Sequence, residues 1–161
     1  MQIVCPGCGL QRPSLGLDGD PKANASGECR ALMNEVSYYT LARGDATFMH
    51  QHLVDAYGAQ HVRRSRSTIG AAFALAGLYL AIERGFTGRQ VQKMHMLMAG
   101  ASKQWPRFDP PDTGGPLTVA DVLGVEPGPQ RDEKLLEWCA SVWKAWSEEQ
   151  GRVREMVDKF L

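Results

Sequence analysis

Apolar residues recur along most of this chain at steps of three and four, the spacing of one face of a helix. Leu32, Met33, Val36 and Tyr39 form the first stripe, with Ser26 placed to cap it and Arg43–Gly44 to end it. Asp45 or Thr47 is expected to cap a second helix that ends near His61. A third, opening at Ser65 or Ser67, is apolar almost all round through Ile69, Phe73, Leu75, Leu78, Tyr79, Leu80 and Ile82. That pattern marks the buried centre of a bundle, and Gly85 stops it. Thr87 with Gln90 makes a capping box for a fourth helix ending near Gly100.

Pro106, Pro110, Pro111, Gly114 and Gly115 then forbid regular structure, and Trp105 and Phe108 are the anchors of the crossing loop. Thr118 caps a single turn ending at Gly124. The last seam is Leu135, Cys139, Val142, Trp146, Val153, Val157 and Phe160. It predicts one helix from about Asp132 to the C-terminus, with Gln150 as a polar defect and Gly151 as a weak point. A buried Gln150 needs a partner, and His50 or Tyr57 on the second helix is the expected one. No strand of substance is expected. The fold class is all-α, one domain over residues 1–161, with a bundle of about five helices over 28–161.

Residues 1–27 break the pattern. Cys5-Pro-Gly-Cys8-Gly9 is followed by Pro13, Gly16, Gly19, Pro21 and Gly27, with no helical or alternating period. A segment with so few apolar groups cannot offset its own ordering entropy, and a bound metal would hold it. Cys-Pro-Gly-Cys-Gly has the form of a zinc knuckle, a tight turn that aims two thiolates at one ion. A redox pair of the thioredoxin kind would sit at a helix start after a strand, a setting absent here. Cys29, in the first turn of helix one, has a helix N-terminus to favour its thiolate and suits a third ligand.

The fourth ligand follows from counting. With helices one and two antiparallel about Gly44–Asp45, the residue level with Cys29 lies near position 60, where His61 stands. His50 lies about 16 Å further along the same helix, too far to share the ion. The expected set is Cys5, Cys8, Cys29 and His61 around Zn2+, a three-Cys, one-His pattern without an open position.

The stretch from His50 to His61 places His50, Val54, Tyr57 and His61 on one helical face, with His52 and Asp55 roughly opposite. His50, Asp55 and Tyr57 are the catalytic candidates, in a polar pocket where His50 would serve as base or ligand; the competing reading is a buried hydrogen-bond network. Met94, His95, Met96 and Met98 could suggest a soft-metal site, yet core filling by methionine explains them more simply. Trp138, Trp143 and Trp146 read as core anchors, and Cys139 as an inert thiol.

Eighteen basic and eighteen acidic residues cancel over 161 positions, so no global field draws nucleic acid or an anionic membrane. The basic run Arg63, Arg64, Arg66 reads as a solvated helix end. Cys5 and Pro6 precede any apolar segment, so a secretory leader is not expected, and the longest apolar run is too short to span a bilayer. A cytoplasmic location follows, with a protein, a small molecule or a second copy of the chain as the partner.

Several of these stretches together resemble a family of bacterial proteins, a domain of unknown function. They are Cys-Pro-Gly-Cys-Gly, Gly-Glu-Cys29, Val-Asp-Ala-Tyr-Gly-Ala-Gln-His61, Thr-Val-Ala-Asp-Val-Leu and Trp138-Cys-Ala-Ser-Val-Trp143-Lys-Ala-Trp146. The resemblance implies that His50, Asp55, Tyr57, Gln60 and His61 belong to the family pattern while His52 and His95 do not. This chain has Val62 where the pattern continues with Pro, and Gln150 where it tends to place a His. That departure weakens a second metal site between His50 and the last helix. The resemblance carries no activity. Two functions therefore stand: a binding or interaction module with a structural zinc, or a metal-dependent hydrolase or group transferase built around His50.

Overall fold

The computed structural model describes residues 1–63 and 69–161. Seven helices occupy those residues: α1 Gly27–Ala42, α2 His50–Gln60, α3 Ile69–Glu83, α4 Gly88–Ala101, α5 Val119–Leu123, α6 Pro129–Ala145 and α7 Gln150–Asp158. The all-α class holds. The bundle packs around α2 and α3: α2 touches α1, α3, α4 and α6, and α3 touches α4, α6 and α7 as well. Leu75, Leu78 and Leu80 of α3 are fully buried, as its all-round apolar sequence requires.

Three caps form where the sequence placed them. Ser26 Oγ accepts from the Cys29 N–H, Thr87 and Gln90 complete a capping box, and Thr118 makes a second box with Asp121. Helix α2 instead starts at His50, later than expected. The Asp45 carboxylate accepts from the Met49 N–H at 3.0 Å and the Thr47 hydroxyl at 2.7 Å, so it holds the turn before the helix. The candidate caps Ser65 and Ser67 of α3, with Arg64 and Arg66, lie outside the described residues; Arg63 donates to Pro21 O.

The single C-terminal helix of the sequence reading is two. Trp146 N–H and Ser147 N–H turn back to carbonyls three residues earlier, which tightens and ends α6. Glu149, buried at the turn, accepts from the Asp109 N–H and from Arg152. Gln150 then spends its amide on Trp143 O and Arg154, not on His50 or Tyr57. Among the described residues Gln150 therefore makes no polar link from the last helix to α2. The seam itself stays buried on both sides of the break, from Leu135 to Val157.

Three of the four tryptophans anchor this core with their N–H groups satisfied, while Trp105 Nε1 in the crossing loop is buried with no partner among the described residues. Trp138 donates to Gln60, Trp146 to Ala59 O and Trp143 to Glu83. Phe108, fully buried, pins the proline-rich crossing loop. Near the N-terminus two short strands pair antiparallel, β1 Gln2–Val4 and β2 Gln11–Pro13, with Ile3 opposite Arg12. Three residues per strand leave no alternation to read, which is why the sequence pattern missed them. Between them the knuckle closes as a hairpin, Cys5 N–H to Leu10 O and Gly9 N–H to Cys5 O, each 2.9 Å. No helix among the described residues is long and apolar enough to cross a membrane.

Candidate metal centre

Four side chains from three parts of the chain meet beside the start of α1. Ligand atoms of Cys5, Cys8, Cys29 and His61 all lie within 4.8 Å of one another, a group able to hold a metal ion. Cys29 Sγ stands 3.9 Å from Cys8 Sγ and 3.5 Å from His61 Nε2. The antiparallel packing of α1 on α2 thus brings His61, and not His50, level with Cys29.

Each donor is positioned by local structure. Cys29 sits in the first turn of α1, where the backbone dipole favours a thiolate. Cys5 and Cys8 are set by the knuckle, which the Cys5 N–H to Leu10 O and Gly9 N–H to Cys5 O bonds close. His61, at the C-terminal end of α2, donates its Nδ1–H to Tyr57 O at 2.7 Å, which turns Nε2 toward the sulfurs. Tyr57 reaches the cluster twice more: its hydroxyl lies 3.2 Å from Cys29 Sγ, and its ring stacks on His61 at 3.9 Å between centroids.

Two residues that the sequence reading passed over fix the segment in place. Asn24 donates to His61 O at 3.1 Å and ties residues 20–25 to the end of α2. Gly7 lies against the imidazole so closely that a Cβ there would come within 2.3 Å of His61 Cδ2. The glycine inside Cys-Pro-Gly-Cys was the available signal. Its need is close approach, whereas Gly9 serves its positive φ of 78°.

The electrostatics agree with a cation among these groups. Hydrogen bonds with Cys29 and Cys8 pull the Cys5 thiol well below its ordinary range, and the same crowding, Cys29 first, pushes Cys8 up. Burial opposes a charge on His61, but hydrogen bonds with Cys29 and Cys5 outweigh it and push its pKa up to about 9. Three sulfurs this close cannot all ionise unless a cation offsets their repulsion.

Residues 3–147 match a family of unknown function, DUF5946. The chain belongs to that family. The DUF5946 match spans all four donors and ends before α7. No curated protein and no solved structure matches the chain.

The three catalytic candidates have separate partners. Tyr57 belongs to the cluster of Cys29 and His61. His50 Nδ1 lies 2.9 Å from the Thr40 hydroxyl, itself bonded back to Val36 O, and burial lowers the His50 pKa. Asp55 is 3% exposed; one oxygen accepts from Gln51 at 3.0 Å and the other has no partner among the described residues. That oxygen rests against Gly77, where a Cβ would fall 1.9 Å away, and burial raises the Asp55 pKa well above the carboxylate range. Val54, placed on the site face by periodicity, is 40% exposed, whereas His52 and Asp55 on the other side are buried. Helix α2 is enclosed on several sides, so one-face reasoning fails for it. His95 stacks on Phe73 and bonds its carbonyl, while Met98 fills the core and Met96 points outward. A cleft of about 460 Å³ runs past Lys22, Asn24, Tyr57 and His61 without being lined by any of the three cysteines.

Proposed function

We propose that this protein is a zinc-dependent helical-bundle module whose Cys5, Cys8, Cys29 and His61 hold one structural Zn2+. The observation that carries the reading is the spacing of the donors. Zinc bound tetrahedrally at about 2.3 Å from sulfur and about 2.05 Å from nitrogen sets its ligands about 3.8 Å apart for two sulfurs and about 3.6 Å for sulfur and nitrogen. Cys8 to Cys29 is 3.9 Å and Cys29 to His61 is 3.5 Å, and every pair of the four donors lies within 4.8 Å. Four protein donors fill a tetrahedral shell, which suits a structural role rather than chemistry at the ion. His50, engaged with Thr40, stands apart from that shell and gives the enzyme alternative no purchase at the metal.

The ion would supply the cross-link that ties the N-terminal hairpin to α1 and α2. The rest of the chain would then present a rigid surface to a protein or small molecule in the cytoplasm, without a net charge to draw nucleic acid or membrane. Elemental analysis of the purified chain tests the proposal: one zinc per chain, lost in Cys8→Ser, supports it. Stoichiometric metal retained in that variant overturns the ligand assignment.

A further inference from the structure

The four donors are not equally protected. Cys29 is fully buried, Cys5 is 1% exposed and His61 5% exposed, while Cys8 remains half-buried. Cys29 also meets the Tyr57 hydroxyl at 3.2 Å, and hydrogen bonding to a thiolate makes it a weaker nucleophile. Cys8 is therefore the sulfur that solvent-borne reagents reach first. The nearest resolving group is already in place, since Cys29 Sγ lies 3.9 Å away.

We propose that Cys8 is a modification site for peroxides, through which oxidation opens the metal centre. The inference rests on the zinc reading above. In the first step the Cys8 thiolate attacks the O–O bond of a hydroperoxide. A S–O bond forms, the O–O bond breaks, and the leaving oxygen takes a proton to depart as water or alcohol. In the second, the Cys29 thiolate attacks the Cys8 sulfenic sulfur, forming the S–S bond and expelling hydroxide, which is protonated to water. The two thiolates are oxidised by two electrons and the peroxide is reduced by two. The ion keeps only Cys5 and His61 and leaves, and the N-terminal segment loses its cross-link while the α2–α3 core stays packed.

The test uses the zinc-loaded full chain and hydrogen peroxide. Zinc content is measured first, so a chain that holds no zinc refutes the structural-zinc reading before any oxidant is added, and the present proposal with it. With zinc bound, released ion is followed by a chromophoric chelator while a sulfenic-acid trap and peptide mapping locate the oxidised sulfur. The expected result is trap adduct on Cys8 before any other cysteine, then a Cys8–Cys29 disulfide formed in step with zinc release, one ion per disulfide, and Cys139 left reduced. First oxidation at Cys5, Cys29 or Cys139, a Cys5–Cys8 disulfide as the main product, or zinc retained after Cys8 is oxidised overturns it.

Discussion

Gly7→Ala is the smallest change that tests how the knuckle and the histidine hold each other. The new methyl would lie 2.3 Å from His61 Cδ2 and 2.5 Å from Asn24 O. Carbon atoms pack at about 3.5 Å, so the imidazole side falls short by more than an ångström. Asn24 O is backbone, tied into the same segment that donates to His61 O, and it cannot yield without pulling that anchor. The imidazole must swing or the hairpin must lift. Either motion exceeds the ~0.2 Å tolerance of a metal–ligand distance. Changes that disturb ligand orientation cost about 10- to 100-fold in metal affinity, or about 1.4–2.8 kcal/mol, and a displaced ligand belongs at the upper end.

The assay is zinc competition against a chromophoric chelator, with cobalt substitution to report the thiolate-to-metal bands. We expect roughly 100-fold weaker zinc binding in Gly7→Ala, and a much smaller further loss when the same change is made in a His61→Ala background, where no ring remains to be displaced. Wild-type affinity and an unchanged cobalt spectrum in Gly7→Ala would refute the packing of the knuckle on His61.

His61→Ala should weaken zinc retention far more than His50→Ala, measured by metal content after gel filtration; the reverse order would overturn the pairing of α1 with α2. Zinc affinity should fall as the pH is lowered across a chelator-competition series. His61, held up to about 9 by its sulfur neighbours, and the three thiols must all lose protons to the ion, so acid competes with it. Asp55→Asn should stabilise the fold at neutral pH by about 1–3 kcal/mol in denaturant titrations. The raised folded-state pKa of Asp55 means that its stability is full below the unfolded value near 3.9 and declines as pH rises toward the folded one; the amide should abolish that decline. Gln150→Leu should cost about 0.5–1.5 kcal/mol through the lost bond to Trp143 O while leaving zinc affinity unchanged.

The helical part was legible because its signals are local. Ser26, Thr87 and Thr118 cap where they stand, and the all-apolar α3 is buried because no neighbour can change its composition. The break between α6 and α7 was not legible, because it depends on Glu149 bonding Asp109 forty positions away. Position 150 reads as a defect in a continuous seam only while the turn at 146–149 is unknown. The meeting of Cys29 with His61 could be counted from one turn and one rise per residue, so a distant contact became a local calculation. The roles of Gly7 and Asn24 could not, since both concern where a loop without periodicity lies against a helix end.

What orders that loop is the last step of the argument. Within residues 1–24 Cys5 alone is buried, and Val4, Leu15 and Leu17 are 56%, 70% and 46% exposed. Apolar burial therefore contributes little there, and two three-residue strands are marginal in isolation. The remaining ties to the helices are polar, among them the Glu28 carboxylate accepting from Leu15 and Leu17 N–H groups, Asn24 on His61 O, Arg63 on Pro21 O and the half-exposed Asp20–Arg30 ion pair. Net contributions of about 1 kcal/mol per hydrogen bond do not match an ordering cost of about 1–2 kcal/mol for each residue. A structural zinc contributes about 10–16 kcal/mol in peptides, the scale of the deficit. Hydrogen exchange on Cys8→Ser should therefore show residues 1–24 unprotected and the α2, α3 and α6 amides still slow; protection retained in the loop without its metal would mean that the ordering comes from elsewhere.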